Sequence, residues 1–126
     1  MGAQQSQEEQ KRQSRTAGAV RYLVRATLRD AADLDQYVRW LQGGHVADVM
    51  RLGGALSGCI VVLECDAAAG EAQAVESVYE FPHRAALDAY LAGPALQLRE
   101  EGKRLWMDTG KVTFSRSIGA IAFVAH

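Results

Sequence analysis

The sequence predicts an α+β fold in which two helices cover one face of a four-stranded antiparallel sheet. Three observations carry this prediction. Four segments have the alternation or the β-branched composition of strands, and two segments have the apolar spacing of amphipathic helices. These segments follow the order β-α-β-β-α-β along the chain. The length of 126 residues, finally, suits a single domain.

The first strand and the first helix open the regular part of the chain. In residues 20–28 apolar side chains alternate with polar ones, as in a strand with one buried face. Asp30 or Asp33 is then expected to cap a helix with apolar residues at helical spacing, namely Leu34, Tyr37, Val38 and Leu41. A double glycine at 43–44 interrupts this helix, and a second one at 53–54 ends it.

The remaining elements complete the pattern. The β-branched run at 59–63 predicts a second strand, and the alternation at 74–81 predicts a third. A second helix starts near His83 and must break or kink at Gly93-Pro94, because proline removes a helical donor. The last strand covers 111–118. Two interleaved β-α-β units of this kind form a ferredoxin-like sandwich.

In this fold one face of the sheet is left uncovered by helices. The first and third strands are neighbours, so Arg21 is expected to pair with Glu80 and Arg25 with Glu76 across the ladder. Leu23 lies among these charges and favours partial burial of the face. We therefore predict a homodimer in which two such sheets face each other; a solvated face with surface ion pairs is the alternative.

The domain is predicted to cover residues 19–126, after a disordered polar tail at 1–18. The first six residues also fit the short N-myristoylation pattern with Gly2 as acceptor, and the sequence leaves acylation open. A formal charge of −1 argues against a nucleic-acid partner, and no apolar run is long enough for an integral membrane segment.

The cysteines and histidines indicate neither a disulfide nor a metal site. Cys59 and Cys65 would lie roughly 20 Å apart along one strand, which is beyond disulfide reach. We interpret them as free thiols that fill the core of a cytoplasmic protein. The three histidines are scattered, so the sequence predicts no metal and no cofactor.

The stretch Trp40-Leu-Gln-Gly-Gly-His45-Val-Ala-Asp48-Val49 resembles a bacterial family of small domains of unknown function, whose first helix reads W-x4-H-x2-D-V. Further similarity lies in Val78–Phe81, in Tyr90 followed by Gly93–Leu96, and in Phe114–Ile118. That family is similar to the dimeric α/β-barrel superfamily, whose ferredoxin-like subunits pair sheet to sheet. Its members include cofactor-free monooxygenases, haem-handling enzymes, lactone isomerases and stress-response proteins. The resemblance thus implies the fold and the dimer and leaves the chemistry open.

His45 and Asp48 are the candidate catalytic residues. They stand three positions apart on a helix, where the carboxylate can orient the imidazole and raise its pKa. A histidine held in this way can serve as a general base toward an activated carbon or a phenol. A packing histidine that bonds a backbone carbonyl is the alternative.

The candidate ligand-binding residues are Tyr22, Tyr37, Trp40, Tyr79 and Arg116. Arg116 alternates in phase with apolar residues of the last strand, so it is expected to be buried. A buried guanidinium there would bind the carboxylate of a ligand, or it would instead pair with Asp48 or with a helix end. Arg99 and Lys103 are interpreted as part of a solvated helix face.

These observations predict a small homodimer that binds an aromatic or acidic organic molecule between sheet and helices. Cofactor-free proton transfer or oxygenation with His45 as base is the catalytic form of this hypothesis. A non-catalytic dimerisation or interaction module without a ligand is the main alternative. Haem binding through an accessible histidine is a third. The sequence does not decide whether the protein is an enzyme.

Overall fold

The computed structural model describes residues 18–126. Residues 1–17 of the predicted tail, with the candidate acylation site Gly2, lie outside the described residues. The strands are β1 (Val20–Leu28), β2 (Ser57–Val62), β3 (Gln73–Phe81) and β4 (Val112–Ala120). The helices are α1 (Ala31–Trp40), α2 (Val46–Gly53), α3 (Arg84–Ala92) and α4 (Pro94–Gly102). Within the described part of the chain, no helix is both long and apolar enough to span a bilayer.

The four strands form one antiparallel sheet in the order β2-β3-β1-β4. The predicted fold class is therefore confirmed, and β1 lies at the centre beside β3. The register places Arg21 opposite Glu80 and Arg25 opposite Glu76, as the alternation predicts. The guanidinium of Arg25 bonds the Glu76 carboxylate at 2.6 Å.

The core lies between the sheet and the helices. Most side chains of β1 and β3 that point to the helices are buried, whereas those on the other face, except Ala74, are exposed or half-buried. Gly53, at the end of α2, lets the rings of Tyr90 and Phe81 pack close to its backbone, since a Cβ there would lie 2.9 Å from Tyr90 and 3.1 Å from Phe81. Burial of these aromatic rings is the main stabilising contribution on this side of the sheet.

Both of the predicted helices are interrupted where the sequence predicts. Between α1 and α2, the turn Leu41–His45 contains Gly44, whose φ of 162° and ψ of −29° break the helical path. Between α3 and α4 the chain breaks at Gly93, and Pro94 opens the next helix, where its missing N–H costs nothing. A wide π-helical turn, Lys103–Met107, extends α4. Such turns are frequent at functional sites.

Three details differ from the predictions. Asp30 stands at the N-cap of α1, but its side chain makes no capping hydrogen bond. Cys59 is exposed and Cys65 half-buried, so the interpretation of both thiols as core filler is wrong. The reason is the strand phase, which places Cys59 opposite Val78 on the uncovered face of the sheet.

Candidate functional site

A cavity of about 200 Å³ lies between the helix-side face of the sheet and the helices. An engineered cavity of about 150 Å³ accepts benzene, so this space suffices for a single aromatic ring. Its lining combines aromatic, cationic and small residues: Tyr22, Val24, Tyr37, Trp40, His45, Val49, Ser77, Tyr79, Tyr90, Leu98, Arg99, Gly102, Lys103, Met107, Phe114 and Arg116. Lys103, Met107 and Arg116 are exposed, so the cavity opens to the surface on their side.

The structure brings together most of the residues predicted to form a site. His45 and all five predicted ligand-binding residues line the cavity, whereas Asp48 does not. Sequence reasoning did not assign the lining residues Ser77, Tyr90 and Phe114 to a site. Ser77 alternates in phase with Tyr79 in β3, and Phe114 alternates in phase with Arg116 in β4. The alternation could therefore have placed both residues on the same face of the sheet as the predicted site residues.

Aromatic rings form most of the cavity wall. Tyr22 stacks on Tyr79 with ring centroids 6.2 Å apart, and its edge contacts Tyr90 at 6.4 Å. On the other side Tyr37 packs against Trp40 at 5.8 Å. These contacts join neighbouring strands and helices, so they fix the rings before any ligand binds.

His45 lies against Trp40, with the two rings stacked at 4.1 Å and 23°. Burial lowers the pKa of His45, and the opposing effects of Glu101 and Asp48 are smaller. Asp48 does raise this pKa, as expected, but burial outweighs it and the net shift is downward. The Asp48 carboxylate also accepts a hydrogen bond from Arg51 at 3.3 Å. At neutral pH the imidazole is uncharged and able to accept a proton.

The lowered pKa of His45 predicts a pH dependence of stability. Above pH 6.5, its ordinary pKa, the imidazole is neutral in both the folded and the unfolded chain. As the pH falls below 6.5, the unfolded chain takes up the proton first, and the folded state loses stability until it is protonated as well. In His45→Gln this loss should disappear. Denaturant unfolding of both proteins at several pH values between 5 and 8 measures the free energy of unfolding. The prediction is contradicted if this free energy depends on pH in the same way in the wild type and in His45→Gln.

Arg116 lies on the helix side of the sheet, because β4 pairs it with Val24. It is exposed rather than buried, which corrects the expectation of a buried guanidinium. Its charge lies 5.9 Å from the Phe114 ring. Among residues 18–126 it has no hydrogen-bond or ion-pair partner, so it satisfies neither Asp48 nor a helix end.

Arg99 is not part of a solvated face, contrary to prediction. It is half-buried, and its Nη2 donates a hydrogen bond to the Tyr22 hydroxyl at 3.2 Å. Its Nε is buried without a hydrogen-bond partner within the described residues.

The buried phenols stay protonated at neutral pH. Burial raises the pKa of Tyr90 to about 12, and it raises the pKa of Tyr37 and Tyr79 still further. Ser77 and Tyr79 are each 2% exposed. Their hydroxyls have no hydrogen-bond partner of ordinary geometry in the part of the chain that the structure describes. Both line the cavity, so they are available to a bound molecule.

Comparison with known proteins finds similarity in structure only. No protein-family model matches the chain, and no curated protein matches it. A dimeric ferredoxin-like protein from an uncultured marine organism has a TM-score of 0.61 at 17% identity, over 85% of this chain and 98% of the other. A mutant of SnoaB, a cofactor-independent oxygenase from Streptomyces nogalater, has a TM-score of 0.55 at 16% identity, over 86% and 94%.

A third similar structure is an EthD family protein from Bacillus halodurans, with a TM-score of 0.54 at 7% identity, over 77% of this chain and 96% of the other. At these identities the likeness establishes the fold, which is ferredoxin-like. Membership of the dimeric α/β-barrel superfamily and of the bacterial family with the Trp40–Val49 motif stays a prediction.

Proposed function

We propose that the protein is a homodimer that binds a small aromatic or acidic organic molecule in the cavity between sheet and helices. The observation that carries this proposal is the cavity itself, whose wall is built from rings held by contacts with one another. A wall of preformed aromatic surface with a few polar groups is typical of small-molecule sites. Two free cysteines support a cytoplasmic location.

His45 is the proposed base. Its unprotonated imidazole lines the cavity and is stacked on Trp40, which limits its rotation. A proton from an acidic C–H or a phenol of the bound molecule passes to the free ring nitrogen and leaves a carbanion or a phenolate. Such an anion can react with dioxygen as the oxidant, and the fold is shared with a cofactor-independent oxygenase. Asp48 raises the pKa of this base, although burial outweighs its effect.

The uncovered face of the sheet is the proposed dimer interface. Leu23 and Val78 lie opposite each other at its centre, and both are half-buried within one subunit. A second sheet would cover them and the ion pair of Arg25 with Glu76. The similar marine protein is described as dimeric, which supports the same arrangement here. A dimer without any ligand remains the alternative.

Thermal unfolding with a panel of single-ring aromatic acids, phenols and amides tests the cavity. A ligand at about 100 times its Kd adds about 2.7 kcal/mol of stability, or roughly 10 °C for a domain of this size. Val24→Phe, which fills the cavity from β1, should remove this stabilisation. His45→Gln should keep it but lose deuterium exchange from solvent into an acidic position of the ligand.

The matched control for the cavity variant is Val62→Phe, on the helix-side face of β2, where Val62 pairs with Val75 and is exposed. This variant should keep the full ligand-induced shift, because residue 62 does not line the cavity. If no compound in the panel stabilises the wild-type protein, the ligand-free dimerisation module is favoured. If Val24→Phe is stabilised as much as the wild type, the molecule binds elsewhere.

A further inference from the structure

Two of the three positive charges around the cavity have no ion-pair partner within residues 18–126. Arg99, Lys103 and Arg116 line the cavity, and in the described residues no Asp or Glu does, although the whole chain has a formal charge of −1. Lys103 is paired with Asp108 at 3.3 Å. Arg99 and Arg116 form no ion pair within residues 18–126. Two guanidinium groups at one cavity are thus left without a counter-charge.

The two arginines reach the cavity from opposite layers. Arg99 comes from α4 and bonds the Tyr22 hydroxyl, while its buried Nε has no partner among the described groups. Arg116 comes from β4 beside Phe114. Both guanidinium groups act on the Tyr90 hydroxyl, whose pKa each of them lowers against the larger effect of burial. Arg99, Arg116 and Tyr90 all line the same cavity.

A partly buried guanidinium without an anion is unfavourable, and its planar fork of donors matches a carboxylate. We infer that the ligand is an aromatic carboxylic acid bound as its anion, with the carboxylate held by Arg99 and Arg116 and the ring between Tyr22, Tyr37 and Tyr79. The buried hydroxyls of Ser77 and Tyr79, which line the cavity, serve a polar substituent on the ring. This inference rests on the proposed function, because it specifies the ligand of that cavity.

Matched pairs of acid and amide test the inference. The protein is titrated calorimetrically with benzoate and salicylate and, in parallel, with benzamide and salicylamide, which have the same shape and no charge. Each acid should bind the wild-type protein at least about tenfold more tightly than its amide. Arg116→Gln should reduce acid binding about tenfold and leave amide binding unchanged, because Arg116 is exposed and makes no polar contact that folding requires. Arg99→Gln should act in the same direction.

Arg104→Gln is the control, because Arg104 is exposed on the same π-helical turn as Lys103 but does not line the cavity. It should bind both members of a pair as the wild type does. If amides bind as tightly as acids, the anion inference is overturned and the proposed cavity stands. If Arg104→Gln loses as much acid binding as Arg116→Gln, the acid binds another surface and the inference is overturned. If neither acids nor amides bind, the inference and the proposed function both fail.

Discussion

Replacement of Leu23 by aspartate is expected to convert the proposed dimer into a monomer of 13.7 kDa. Leu23 stands at the middle of β1, opposite Val78, so it would lie near the centre of two facing sheets. A carboxylate buried there without a partner costs about 3–5 kcal/mol, which weakens the dimer roughly a thousandfold or more. Light scattering over a range of protein concentrations measures the mass directly.

The subunit itself should tolerate this change. Within one subunit residue 23 is only half-buried on the uncovered face of the sheet, so the new carboxylate would stay hydrated. Circular dichroism should therefore show an unchanged fold. Gln97→Asp, on an exposed position of α4, introduces the same charge and should leave the dimer intact. A Leu23→Asp protein that remains dimeric at low concentration would exclude the uncovered sheet face as the interface.

The fold could be predicted because its signals are local. Alternation in residues 20–28 and 74–81 determines which side chains face the helices, and it correctly predicts the register of Arg25 with Glu76. The double glycine at 43–44 and Pro94 likewise interrupt a helix at their own positions in the chain. Each of these effects depends on neighbouring residues in the chain, so one sequence is enough to predict them.

The site could be predicted only in part, because it depends on contacts between distant residues. Arg99 and Tyr22 are 77 positions apart, and nothing in either segment indicates their hydrogen bond. The net shift of the His45 pKa could not be predicted for a related reason. Side chains on a helix lean toward its N-terminus, so the imidazole of His45 reaches Trp40 rather than the following turn. Burial against that ring then outweighs the carboxylate in setting its pKa.

Phe81→Ala is expected to be the most destabilising of the substitutions considered. The ring is 0% exposed at the end of β3. Its centroid lies 5.7 Å from that of Tyr90 and 6.4 Å from that of Tyr22. Removal of a buried phenylalanine ring costs about 3–5 kcal/mol, a large share of the roughly 5–15 kcal/mol that stabilises a domain. Urea unfolding at a fixed protein concentration measures the loss, because a dimer's stability depends on concentration.

The size of this effect depends on how far the neighbours can move into the vacated space. Gly53 has no side chain to do so, and Tyr22 and Tyr90 are held by their own contacts in the cavity wall. We therefore expect the upper part of the range, and a loss of ligand binding with it, since both tyrosines line the cavity. Phe123→Ala removes the same ring from a position that is 80% exposed and should change stability by less than about 0.5 kcal/mol. A loss below about 1 kcal/mol for Phe81→Ala would mean that the tyrosines close the gap, and that the cavity wall is less rigid than its ring contacts imply.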